Sequence, residues 1–304
     1  TTTRTDNSQT ATATSNAATV TVNKANINPT VSMSGYTYGG TKSTPTILGN
    51  TGNGTVTYYY NTTDSNSSGT AWNTVTSSTS LDTGTYYMYA VVGGTNNYNG
   101  ATTAAVPFTV SSGTLDITVN NYTGDYDGQN HGVSVTAPSG ATVTYGTSST
   151  ACTSSTSPAY KDAGTYTVYY KVTKANYEDV TGTATVQINK KAVTVSGITA
   201  ENKTYDGNTQ ATLVTTGASF DGIVSGDTLT VSATGAFSDA NAANNKTVNI
   251  TELTLGGTSV DNYVLAQTGQ QTSTTANINK LAVTVTADNT ESVPTITSMD
   301  FITF

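Results

Sequence analysis

Histidine and cysteine occur once each in this chain, tryptophan once, methionine three times and proline six times. A single histidine and a single cysteine exclude a His/Cys metal site and an internal disulfide. Charged residues make up only 10% of the chain, against roughly 25% in an ordinary soluble domain. With 11 basic residues and a net charge of −8, the chain has no electrostatic footprint for nucleic acid, and none is expected as a partner. No run approaches the roughly 18 apolar residues that span a bilayer, so no membrane insertion is expected of this segment. The strong helix formers Glu, Lys, Leu and Met are scarce, which excludes a helical protein. What fills the space is threonine, 69 of 304 residues, together with 19 tyrosines and 28 glycines. Threonine and tyrosine suit pleated, half-buried surfaces.

Internal repetition is the dominant pattern. Asp82-Thr83-Gly84-Thr85-Tyr86 returns as Asp162-Ala163-Gly164-Thr165-Tyr166, and Thr55-Val56-Thr57-Tyr58 as Thr142-Val143-Thr144-Tyr145. Asn97-Tyr98 is echoed by Asn176-Tyr177 and Asn262-Tyr263, and Tyr38-Gly39-Gly40 by Tyr126-Asp127-Gly128 and Tyr205-Asp206-Gly207. These echoes define repeats at 25–111, 112–190 and 191–280, near the length of an immunoglobulin-like sandwich. Residues 1–24 read as the tail end of a preceding repeat, because Ala17 to Lys24 alternates like the closing strands ending at Lys190 and Lys280. Residues 281–304 read as the start of a further repeat or an aberrant tail, since Leu281 to Val285 repeats the opening strand Lys191 to Val195. The chain is therefore expected to be an excerpt from a longer array.

Within the repeats the period is two: Tyr166, Val168, Tyr170 and Val172 share one strand face, while Thr165, Thr167, Tyr169 and Lys171 share the other. One packed face and one wet face predict antiparallel strands. The polar stretch Asp239 to Asn245 has some helical potential but too few large apolar residues to seat a helix, and it reads as a loop. The fold class expected is all-β: tandem Ig-like antiparallel sandwiches forming an elongated rod with very short linkers.

Several residues are candidates for chemistry, each with a structural reading beside it. Asp127 and Asp206 are acidic enough for a catalytic or calcium role, but Asp-Gly after an aromatic reads first as a turn. Asp125 to Asn130 lacks EF-hand spacing and its closing Glu, so no metal is expected. Asp82 and Asp162 are expected to cap their own turns, with Tyr86 or Tyr166 forming a tyrosine corner. Tyr58, Tyr60, Trp72, Tyr87 and Tyr89 are the candidate glycan-binding aromatics, alternatively simple cross-strand pairs that stabilise a sheet. His131 is isolated from any nucleophile, and Cys152 sits in a polar run without an activating neighbour. Lys24, Lys190 and Lys280 recur at repeat ends, where polar surroundings favour solvation over isopeptide bonding. Threonine alternation raises ice binding, but a repeat of 80–90 residues is too long for stacked ice-binding rungs. No catalytic residue, cofactor or enzymatic activity is expected.

The third repeat resembles the YDG repeat of large bacterial surface proteins. The resemblance rests on Lys203 to Thr209 around Tyr205-Asp206-Gly207, Val224 to Leu229, Thr247 to Ile250 and Asp261 to Leu265. The second, with Tyr126-Asp127-Gly128, Lys161 to Tyr166 and Asn176-Tyr177, resembles the related MBG-type, Ig-like repeats. The first repeat is more diverged. This resemblance implies an extracellular, cell-wall-associated stalk of an adhesin-like protein, projecting a tip domain from the bacterial surface. The partners it implies are neighbouring repeats of the same chain and, as an alternative function, host glycans or mucin. A third expectation is a self-assembling fibre subunit joined by strand addition, with the N-terminal strand Ala17 to Lys24 and the apolar tail Met299 to Phe304 completing neighbouring molecules.

Overall fold

A computed structural model of the chain describes residues 2–6 and 9–286. It is built of β-strands, with two single-turn 3₁₀ segments, Trp72–Thr74 and Val260–Asn262, and no α-helix among the described residues. The loop expected at Asp239 to Asn245 holds for Asp239 to Ala242, which bend as their lack of large apolar side chains predicts, but Ala243 to Asn245 already belong to the strand Ala243–Gly256. The described residues divide into two compact units, one running up to residue 119 and taking in 135–156 and 169–182, the other of residues 120–134, 157–168 and 183–286. Strands Gly164–Thr173 and Val180–Asn189 contribute residues to both.

In the first unit a sheet runs in the order Tyr36–Thr37, Val106–Ser111, Gly84–Val92, Val56–Asn61, Thr70–Ala71. A two-stranded sheet, Thr30–Ser32 with Thr46–Leu48, supplies Val31 to the opposite side of the core. Met88, Ala90, Val110 and Val75 are all but inaccessible there. In the second unit the larger sheet runs Lys203–Thr204, Ser273–Asn279, Ala243–Gly256, Thr230–Phe237, Gln210–Ala211. Facing it, Lys191–Ser196 lies between Ser219–Asp221 and Tyr263–Leu265. Val195, Ile198, Val231 and Ile250 fill the space between. Two glutamines complete ladders that strands leave open. The Gln270 amide accepts from Val195 N–H at 2.8 Å and donates to the Val193 carbonyl at 3.0 Å; Gln271 accepts from Ile198 N–H and donates to its carbonyl.

The period-two reading holds. Val168, Tyr170 and Val172 are buried, and so are Ala184, Val186 and Ile188 on the next strand, while their neighbours are half-exposed or exposed. The expectation of antiparallel pairing holds for the long strands but not at the repeat openings. Each opening segment first bridges a tyrosine in parallel: Ala25 with Tyr98, Gly113 with Tyr177, Lys191 with Tyr263. It then crosses to run parallel with the closing strand, as Tyr36–Thr37, Tyr122–Asp125 and Lys203–Thr204 do. Alternation is blind to this crossing, because parallel and antiparallel edges bury the same face.

Two segments expected as strands are not strands. Ala17 to Lys24 and Leu281 to Val285 pair with nothing among the described residues. Val20, Val22, Val283 and Val285 are 82%, 89%, 81% and 88% exposed, although their sequence equivalents Val186, Ile188, Val193 and Val195 are at most 3% exposed. The reason is the missing partner: Val186 and Ile188 have Tyr122–Asp125 beside them, and Val193 has Tyr263–Leu265. Each such side chain left in water forgoes about 1.5–3 kcal/mol of burial. A separate hairpin, Thr2–Asp6 with Gln9–Ala13, stands at the N-terminal end. The apolar run Met299 to Phe304 lies outside the described residues.

Candidate functional site at the repeat junctions

The three Tyr-(Gly/Asp)-Gly openings occupy one structural position. Tyr38, Tyr126 and Tyr205 each donate their backbone N–H to the end of the closing strand, to Ser111, Asn189 and Asn279 at 2.8–2.9 Å. Gly39, directly after Tyr38, and Gly128 and Gly207, one position further on, have φ of 78°, 77° and 78°, left-handed backbone that glycine adopts at no steric cost. The turn reading of Asp127 and Asp206 holds: each carboxylate accepts the N–H two residues on, Gln129 at 2.8 Å and Asn208 at 3.1 Å. His131 and the Gln129 N–H hold Asp127 below the usual carboxylate range, and the Lys203 ammonium with the Asn208 N–H does the same for Asp206. His131 itself stacks on Tyr122 at 4.0 Å.

The Asp-x-Gly-Thr-Tyr motif makes the expected tyrosine corner. The Tyr86 hydroxyl donates to the Asp82 carbonyl at 3.0 Å and the Tyr166 hydroxyl to the Asp162 carbonyl at 3.1 Å. The carboxylates, expected to cap their own turns, instead reach the following repeat. The Asn176 side chain accepts the Thr83 N–H at 3.0 Å and donates to the Asp82 carboxylate at 2.7 Å. One repeat later, Asn262 accepts the Ala163 N–H at 2.7 Å and donates to the Asp162 carboxylate at 3.1 Å. One carboxamide thus closes a two-point clamp on the turn of the repeat before it, and the clamp occurs twice.

The tyrosine beside each clamp asparagine completes the contact. Tyr177 meets Tyr38 edge-on with ring centroids 5.4 Å apart, and Tyr263 meets Tyr126 in the same way at 5.5 Å. The second junction is the more deeply closed: Tyr126 is 1% exposed, Tyr263 3% and Asn262 8%. There the Tyr263 hydroxyl donates to the Asp227 carboxylate at 2.6 Å and accepts the Val224 N–H at 2.9 Å. Burial, then a hydrogen bond to Asp227, pushes the Tyr126 and Tyr263 hydroxyls up to about 12. Burial opposes the Asp227 charge, but the hydroxyls of Tyr263, Tyr126 and Ser259 together hold that carboxylate below its ordinary range. A Cβ placed on Gly128 would lie 2.9 Å from Val224 Cγ1, so the same glycine serves both the turn and the close approach.

The candidate glycan aromatics do not share a surface. Strand pairing of Tyr59 with Tyr89 and Tyr60 with Met88 sets Tyr58 and Tyr60 on the core face and Tyr87 and Tyr89 on the opposite one. Trp72 is buried against Phe108 and Tyr60, edge-on to both. Tyr89 is 4% exposed, stacks on Tyr59 and accepts the Gly69 N–H. The recess beside Tyr58 and Trp72 also takes in Val56, Thr57 and Asn73 and measures about 260 Å³. Lys24, Lys190 and Lys280 are exposed. Among the described residues no group of three His, Cys, Asp or Glu side chains converges as a metal site, and Cys152 is a half-buried free thiol.

Fold and site together define an all-β, Ig-like sandwich protein in which a recurring clamp joins sequence repeats. A YDG domain is found at residues 189–275. Among solved structures the chain is similar to Sidekick-1 immunoglobulin domains 1–5, at 8% identity and a TM-score of 0.24, covering 83% of this chain and 59% of that one. It is also similar to mouse cadherin-23 EC22-24, at 13% identity and a TM-score of 0.26, covering 84% of this chain and all of that one. No curated protein matches the chain.

Proposed function

We propose that the chain is a non-catalytic stalk or spacer of a bacterial, adhesin-like surface protein, working outside the cell. The observation that supports this reading most is the recurrence of one clamp, Asn176 on Asp82-Thr83 and Asn262 on Asp162-Ala163. A repeat fastened to its predecessor by side chains as well as by the chain resists bending at that point. A surface of hydroxyls and amides keeps such a spacer hydrated without attracting counter-charged partners. The Tyr-Asp-Gly motifs of the second and third repeats resemble those of large bacterial surface proteins, and this resemblance supports the extracellular reading.

The test is mechanical. The chain is grafted by one end to a solid support and the thickness of the layer is measured. Replacing Asn176 and Asn262 together by Ala is expected to thin the layer while the circular dichroism of the strands is retained. A layer of unchanged thickness contradicts the spacer reading.

A further inference from the structure

The two clamps leave two sets of equivalent residues without a counterpart. On the first repeat, Asn97 and Tyr98 stand where Asn176-Tyr177 and Asn262-Tyr263 stand. The equivalence is structural: Ala25 donates its N–H to the Asn97 carbonyl at 2.9 Å, as Gly113 does to that of Asn176, and both tyrosines bridge the opening segment in parallel. Yet Asn97 is exposed, and among the described residues no hydrogen bond holds its carboxamide. A recess of about 410 Å³ opens there, lined by Val22, Lys24, Ala25, Asn96, Asn97 and Tyr98.

On the third repeat, Tyr205 stands where Tyr38 and Tyr126 stand, but it is 43% exposed where Tyr126 is 1% exposed. Just before Asn241 and Ala242, which share a recess with Tyr205, the pair Asp239-Ala240 precedes the strand Ala243–Gly256 as Asp162-Ala163 precedes Gly164–Thr173. The Asp239 carboxylate is held below its usual range by Lys246 and the Asn241 N–H. The Ala240 N–H has no partner among the described residues. Tyr205, Asn241, Ala242, Lys280, Leu281 and Val283 line a recess of about 490 Å³.

From this we infer that the Asn97/Tyr98 face is a docking surface for a tandem neighbour of the same construction, one presenting a Tyr-x-Gly opening and an Asp-x turn. The Tyr205/Asp239-Ala240 face is the matching half, which receives an Asn-Tyr pair. Chemical complementarity is given by the chain itself, since both halves are joined twice within it. The exposed Val20, Val22, Val283 and Val285 lie next to these faces in sequence, on segments whose equivalents are buried strands. The contact is small, one carboxamide and one edge-on ring pair, well short of what holds free proteins together. A covalent neighbour needs no more, because a short tether supplies an effective concentration in the millimolar range. The inference rests on this geometry and not on the spacer reading, so either stands if the other fails.

The test is a chain in which Lys280 is followed directly by a second copy starting at Ala25, which keeps the spacing of Asn189-Lys190-Lys191. Hydrogen exchange of the Ala240 amide is read in the single chain and in the fusion. The fusion is expected to slow it by about tenfold, the worth of one ordinary hydrogen bond. Asn97→Ala in the second copy is expected to abolish the slowing. The Thr83 and Ala163 amides, already clamped, serve as internal evidence that each variant is folded. Unchanged Ala240 exchange in the fusion, or slowing that survives Asn97→Ala, overturns the proposal. Equal slowing in a mixture of separate chains overturns the tandem neighbour as occupant and assigns the faces to self-association.

Discussion

Each clamp asparagine satisfies a backbone donor and holds a carboxylate with the same side chain, so its truncation removes both bonds and, for Asn176, also the one it accepts from the Thr83 hydroxyl at 3.2 Å. Asn262 is buried and Asn176 is half-exposed, so water can replace the lost bonds of the second far better than those of the first. Asn262→Ala is therefore expected to cost about 1–3 kcal/mol and Asn176→Ala about 0.5–1.5 kcal/mol, read from denaturant unfolding. Equal costs would mean that burial does not set the strength of the clamp. Tyr126 and Tyr263 give the second junction a pH signature. Their hydroxyls, raised to about 12 in the fold against 10.0 ordinarily, bind their protons more tightly folded than unfolded. That stability is complete below about pH 10 and is lost as pH climbs through about 12. An absorbance titration should show a late-ionising group of tyrosines that includes Tyr126 and Tyr263 beside Tyr36, Tyr86 and Tyr122, and Tyr263→Phe should shrink it.

Among the elements, the strands were legible from period-two alternation alone, and the tyrosine corners from Asp-x-Gly-Thr-Tyr. Three kinds of feature were not. The parallel edges at Tyr36–Thr37, Tyr122–Asp125 and Lys203–Thr204 bury the same residues as antiparallel ones would. Ala17 to Lys24 carries a strand pattern, but a strand needs a neighbour, and pattern does not report one. Gln270 and Gln271 look like an ordinary polar pair, yet their amides stand in for backbone partners of Val195 and Ile198. Gln271→Ala is expected to destabilise the YDG domain by about 1–3 kcal/mol, because it strands the buried Ile198 N–H and carbonyl. Thermal melting checks this, and a change within error would show that water replaces the amide. The junction residues all stand out as echoes, but the aspartates read as caps of their own turns and the Asn-Tyr pairs carry no sign of a partner. Asp82 and Asn176 are 94 positions apart, and nothing in either motif announces that they meet.

At the scale of the whole molecule, consecutive repeats are fastened by side chains and not merely strung on a linker. The first clamp allows a direct test, because Ser77 and Ser139 are exposed and lie on either side of it within one compact unit. Spin labels at those two positions report their distance distribution by pulsed electron resonance. The account predicts a single narrow distribution in the parent chain and a clearly broader one after Asn176→Ala, with Asp82→Ala broadening it in the same way. A broad distribution in the parent chain, or a narrow one that neither substitution changes, would contradict it.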